Sequence, residues 1–148
     1  MHAMNDELIG RLLERPYWIV DVLPDRVPAE AGGQYPAVEG YYLRPPRREA
    51  LRRKQAELLL RLNCYWDMAV SFDGGERWER EPDPEGFVER LTALPENACL
   101  RVLFPSQETL IDLDGGYTSL TVYDPKPALL FRLRKLAGGD GLFVWRGD

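Results

Sequence analysis

The longest stretch without glycine, proline or β-branched residues runs from Arg47 to Asn63 and predicts the main helix of the protein. Every residue in it except the last is an adequate or strong helix former. At about 100° per residue, Leu51, Leu58 and Leu62 fall within about 40° of one another, with Leu59 at one margin. Such an apolar stripe has to be buried. We therefore expect the helix to pack against a sheet formed by the Val-, Ile-, Tyr- and Trp-rich segments on either side.

Hydrophobic periodicity, with proline and glycine as boundaries, predicts the other elements. Helices are expected at Asn5–Glu14, Glu85–Leu94 and Pro127–Leu136. Strands are expected at Tyr17–Leu23, Tyr65–Phe72, Ala98–Phe104, Thr109–Leu113, Tyr117–Tyr123 and Leu142–Trp145. A further strand is expected to begin at Arg77 and return beside Tyr65–Phe72. Pro24–Pro46 reads as a long irregular connection that could include a short edge strand at Val38–Leu43.

Clustered strands with interspersed helices predict a single α+β domain over residues 1–148. Its sheet is expected to be mainly antiparallel, or mixed, with five to seven strands. About four helices are expected to pack mostly on one face. Residues 1–4 are expected to be disordered or derived from an expression vector.

Composition narrows the classes of protein to which the chain can belong. Its 148 residues are 45% hydrophobic, enough to form a core without disulfides or a structural metal. A net charge of -5 makes a general nucleic-acid or membrane binder unlikely, because polyanions repel an acidic surface. No apolar run approaches the roughly 20 residues that span a bilayer, and no secretory signal is recognised at the start. The expected location is the cytoplasm.

Cysteine and histidine usage restricts the chemistry. Cys64 and Cys99 lie in segments expected to be buried, and both are predicted to be reduced. No CxxC pair is present to supply a zinc site. The only histidine is His2, so a histidine triad is excluded and no metal or cofactor is predicted.

The segment Ser71–Trp78 resembles the Asp-box hairpin, Ser-x-Asp-x-Gly-x-Thr-Trp, of sialidases and other β-propellers. Ser71, Asp73, Gly75 and Trp78 match, whereas Arg77 replaces the usual threonine. In those proteins the box recurs in each blade and is structural, whereas here it occurs once in a short chain. We expect a stabilised hairpin in which Asp73 accepts backbone N–H groups, and no glycosidase activity.

Six of the nineteen basic residues fall between positions 44 and 54, next to a pair of tyrosines. Basic charge at the start of a helix is opposed by the helix dipole, so something should offset it. One interpretation is a site for phosphate or an acidic partner; the alternative is a solvated face paired with nearby acids. The candidate partner-binding residues are Tyr41, Tyr42, Arg44, Arg47, Arg48 and Arg52.

Four aspartates lie in or beside predicted strands, namely Asp21, Asp67, Asp112 and Asp114. A strand aspartate that points into a cleft would be a catalytic candidate, although most point to solvent. Three functions remain open. The leading hypothesis is a non-catalytic interaction or regulatory module that binds another protein or a second copy of itself. The alternatives are an enzyme with a small-molecule or phosphate ligand that uses Asp and Arg without histidine, and an RNA-binding protein.

Overall fold

A computed structural model describes residues 2–147, with side chains from residue 5 onward. The prediction for residues 1–4 therefore falls mostly outside the described atoms, although α1 begins at His2. The helices are α1 (His2–Leu12), α2 (Tyr35–Tyr42), α3 (Arg47–Asn63), α4 (Pro84–Thr92) and α5 (Pro127–Gly139). The strands are β1 (Tyr17–Asp21), β2 (Ala69–Ser71), β3 (Glu79–Arg80), β4 (Cys99–Phe104), β5 (Thr109–Asp114), β6 (Leu120–Tyr123) and β7 (Phe143–Arg146).

All seven strands form one antiparallel sheet in the order β3-β2-β4-β5-β6-β1-β7. Strands β4, β5 and β6 are the predicted meander. Strand β1 pairs with β6, and β7 pairs with the other side of β1 to form the edge of the sheet. The α+β class, the single domain and the antiparallel sheet are thus confirmed.

The two faces of the sheet have different cover. Helices α3, α4 and α5 pack on one face, here called the helical face, and form the main core with residues such as Leu58, Leu91 and Leu133. Helix α1 packs on the opposite face, here called the outer face, where Ile9 and Leu12 meet strands β4 and β5. The rest of the outer face is left to loops. None of the helices within residues 2–147 has the length and apolar character needed to cross a bilayer.

Helix α3 has the predicted bounds, Arg47–Asn63. The edge strand proposed at Val38–Leu43 is wrong, because that segment belongs to α2. The strand prediction rested on the β propensity of Val and Tyr, but Pro36 at the start of α2 favours a helical first turn. The prediction that Cys64 is buried is also wrong: it lies exposed at the end of α3. Cys99 is half-buried, and neither thiol is in a disulfide.

Candidate functional site

Helix α2 is a helix without a buried face. None of its eight residues is buried, and several of its apolar side chains are exposed to solvent. Val38 is 40% exposed and Tyr41 is 47% exposed. Tyr42 is half-buried and packs against the main core, so it is the residue that attaches α2 to the domain. The surface of α2 that carries Val38 and Tyr41 is therefore exposed to solvent.

Two of the predicted arginines extend this surface. Arg44 is exposed in the turn between α2 and α3. The Arg47 guanidinium lies 3.8 Å from the centre of the Tyr41 ring, and its Nε donates to the Tyr41 carbonyl oxygen at 2.8 Å. The rings of Tyr41 and Tyr42 meet edge to face at 5.4 Å. We call Val38, Tyr41, Arg44 and Arg47 the α2 face.

The other two predicted arginines point inward. Arg52 has no exposed surface. Its guanidinium donates to the carbonyl oxygens of Gly115 and Tyr117 at 3.0 and 2.9 Å, and to Oε1 of Gln55 at 2.9 Å. Arg48 donates to the carbonyl oxygen of Leu94 and, at 3.4 Å, to that of Gly115. Both side chains therefore anchor the β5–β6 loop to α3, and Arg52 offers a partner nothing to contact.

Burial, followed by the neighbouring charge of Arg48, lowers the pKa of Arg52 to about 10. The guanidinium still keeps its charge at neutral pH. Helical spacing could have predicted that Arg52 is buried, because Arg52 lies about 20° from the buried Leu59 around α3. The carbonyl oxygens that accept from Arg48 and Arg52 also offset the unfavourable interaction of this basic charge with the helix dipole.

The Ser71–Trp78 hairpin has the predicted construction. Asp73 Oδ1 accepts the backbone N–H groups of Glu76 and Arg77 at 3.1 and 2.9 Å. The Ser71 hydroxyl donates to the same oxygen at 2.7 Å, and together these bonds lower the pKa of Asp73. Gly75 has a positive φ of 102°, and its carbonyl accepts the indole N–H of Trp78 at 3.0 Å. All of these bonds are internal, as expected of a structural hairpin.

The strand aspartates do not converge in one site. Asp67 and Asp114 are exposed. Asp112 lies on the outer face, where its Oδ1 is 3.5 Å from Nε of Arg101. Burial raises the pKa of Asp112 to about 6, and the Arg101 charge only partly opposes this. The pair occupies the middle of the sheet and lines none of five cavities formed by the described residues.

Asp21 does lie in a cleft. It ends β1 on the outer face, where the chain after β1 folds back over the sheet and encloses a cavity of about 270 Å³. We call this cavity the outer cleft. The residues that line it include Ile19, Asp21, Asp25, Arg26, Tyr35, Ser119 and Trp145. Sequence reasoning identified Asp21 as a candidate but missed the others, because nothing local indicates how the loop folds back.

Hydrogen bonds hold the walls of the outer cleft. The indole N–H of Trp145 donates to the carbonyl oxygen of Leu23 at 3.1 Å. The Arg26 guanidinium donates to the carbonyl oxygen of Gly147. On Asp21, Oδ1 accepts the backbone N–H of Val22 at 2.7 Å and the Thr118 hydroxyl at 2.9 Å. The cleft is therefore a formed feature of the fold.

Within the described side chains, no group of His, Cys, Asp and Glu has the arrangement of a metal site. Comparison with known proteins identified no matching family, no similar curated protein and no similar solved structure.

Proposed function

We propose that this protein is a non-catalytic interaction module that uses the α2 face to bind an acidic protein surface. The observation that carries the proposal is a helix with no buried residue, on which Val38 and Tyr41 are exposed and Arg47 stacks on the Tyr41 ring. A helix of eight residues is too short to be stable alone, so its apolar face gains from a partner. Aromatic and arginine side chains are also the types enriched at the centres of protein interfaces.

The charge distribution supports an acidic partner. Residues 41–54 contain six basic residues and one acidic residue, a net charge of +5. The whole chain carries -5, so the rest of it carries -10. This asymmetric charge distribution orients the protein near an acidic surface, so that the α2 face is directed toward that surface. It also opposes a symmetric homodimer through this face, because a two-fold axis would place like charges against one another.

A cytoplasmic setting is part of the proposal. The two unpaired thiols support it, since a reducing compartment keeps thiols free.

The test is site-specific photocrosslinking followed by a binding measurement. A photoreactive residue at position 38 is compared with one at position 131, because Phe131 is 60% exposed on α5 and lies outside the α2 face. We expect a nuclease-resistant crosslink to an acidic protein from position 38 alone. That protein, once purified, should bind the wild type more weakly as salt is added.

Variants then assign the contact. Arg44→Glu and Tyr41→Ala should each weaken binding at least about 10-fold, which is about 1.4 kcal/mol, without altering the circular dichroism spectrum. Arg134→Glu is the matched control on α5 and should leave the affinity within about 2-fold. Equal crosslinking from both positions, an RNA or a second copy as the crosslinked species, no crosslink, or full affinity in both α2 variants would each refute the proposal.

A further inference from the structure

Asp21 is a buried carboxylate that faces a cavity. It is 7% exposed, and it lines the outer cleft together with the aromatic rings of Tyr35 and Trp145. Both of its protein donors, Val22 and Thr118, bond to Oδ1. Within the described residues no hydrogen bond to Oδ2 is seen, and none of the ion pairs includes Asp21. Oδ2 of Asp21 is therefore available to accept a hydrogen bond from a ligand in the cleft.

The basic residue of the cleft lies at its other end. Arg26 is bonded to the carbonyl oxygen of Gly147, which pairs with Tyr17 at the start of β1, whereas Asp21 ends β1. Asp21 lies four positions after Tyr17, a distance of about 13 Å along the strand. The Arg26 charge therefore does not neutralise Asp21. Between the two ends, Ile19 and Trp145 provide an apolar floor, because they are register partners on β1 and β7.

We propose that the outer cleft binds an alkyl ammonium group, with the cationic nitrogen on Asp21 Oδ2 and the alkyl stem along Ile19 and Trp145. A buried carboxylate that lacks a counter-ion is best compensated by a cation with N–H donors. The aromatic rings of Tyr35 and Trp145 add attraction for a cation, since their faces carry negative charge density. A cavity of about 270 Å³ suits a small amine or a single lysine side chain rather than a larger molecule.

The state of Asp21 agrees with this assignment. Burial raises the pKa of Asp21, and the bonds from Val22 and Thr118 oppose the rise only in part. The ionised carboxylate is therefore less well stabilised than it would be in water, and an ammonium ion would restore part of that stabilisation. This site is separate from the α2 face, so failure of one proposal leaves the other intact.

The test is a ¹H–¹⁵N NMR titration of the full chain with n-butylammonium chloride, with sodium chloride at the same ionic strength as the control. We expect saturable shifts of the Trp145 indole N–H and of the Val22 and Ser119 amides, which surround Asp21. Asp21→Asn keeps the shape of the side chain and an oxygen for the two donors, and should weaken binding at least about 10-fold. Asp67→Asn removes an exposed charge elsewhere and should change nothing.

Tyr35→Ala provides a second variant in case Asp21→Asn unfolds, because Tyr35 is 38% exposed and its loss should weaken binding without unfolding the chain. No saturable shift up to 100 mM, equal shifts with sodium chloride, or unchanged binding in either folded variant would overturn the proposal. Two further probes identify the source of the ammonium group. Tighter binding of Nα-acetyl-lysine methylamide than of n-butylammonium indicates a protein side chain, and the reverse order indicates a free amine.

Discussion

Arg52 is a charged residue inside the protein, and the reason lies in what it binds. Burying a guanidinium is unfavourable unless its donors are satisfied, and the two loop carbonyls and Gln55 accept hydrogen bonds from both of its terminal nitrogens, while Nε lies buried without a partner in the described part of the chain. Helical spacing places Arg52 next to the apolar stripe of α3, whereas the neighbouring Arg53 points away from the stripe and is exposed. A charge reversal at Arg48 and Arg52 would therefore disturb the fold, since both side chains hold the β5–β6 loop.

Arg52→Met should lower the free energy of unfolding by about 2–4 kcal/mol, because it removes the hydrogen bonds from Arg52 to the carbonyls of Gly115 and Tyr117 and to the buried Gln55. Urea denaturation followed by circular dichroism measures this change. Arg53→Met, one position along the same helix and exposed, should stay within about 0.5 kcal/mol of the wild type. Similar values for the two variants would show that Arg52 does not anchor the loop.

At the scale of elements, the β5–β6 loop passes so close to the segment after α4 that it requires a glycine. Gly115 is buried, its amide donates to the carbonyl oxygen of Ala98 at 2.8 Å, and its own carbonyl accepts from Arg52. A Cβ atom at this position would lie 1.9 Å from the carbonyl oxygen of Pro95. The Asp-Gly-Gly sequence indicated a turn here, but only the packing distinguishes the two glycines.

Gly115→Ala should therefore destabilise the protein by about 1–3 kcal/mol, since backbone has to move to accept the methyl group. Gly116→Ala is the matched control, because a Cβ there meets its nearest neighbours at 3.5 Å, an ordinary contact. Thermal denaturation of the two variants gives the comparison. Equal melting temperatures would contradict the close approach of the loop to Pro95.

Helix α2 shows that the β propensity of its residues does not by itself determine which type of element they form. Its Val and Tyr residues favour a strand by type, but Pro36 in the first turn favours a helix, and Tyr42 packs the helix against the core. Its exposed apolar face is the feature that supports a binding function, and a strand would have divided the same residues between two faces.

At the scale of the whole molecule, the sheet divides the core unequally. The main cluster lies on the helical face, with Leu58, Val102 and Ile111 fully or almost fully buried. On the outer face α1 is held by a second cluster that contains four buried residues, Ile9, Leu12, Leu103 and Leu110. Local opening should therefore be easier for α1 than for the central strands.

Native-state hydrogen exchange should show this difference. The amides of α1 should exchange by an opening of lower free energy than those of β5, and the α1 opening should depend only weakly on denaturant because it exposes little surface. Amides on α3, which packs on the helical face, serve as the internal reference. Exchange of α1 only with global unfolding would mean that the two clusters form one cooperative unit.

Periodicity and turn chemistry were sufficient for the α+β class, for the bounds of α3 and for the Ser71–Trp78 hairpin, because each depends on residues close together in the chain. The strand order, the loop carbonyls that Arg52 binds and the placement of Asp21 and Trp145 in one cleft were decided only by the tertiary structure. Asp21 and Trp145 are 124 positions apart, and no local preference specifies that β7 adds to β1. A side chain becomes buried, exposed or part of a cleft only when distant segments pack around it.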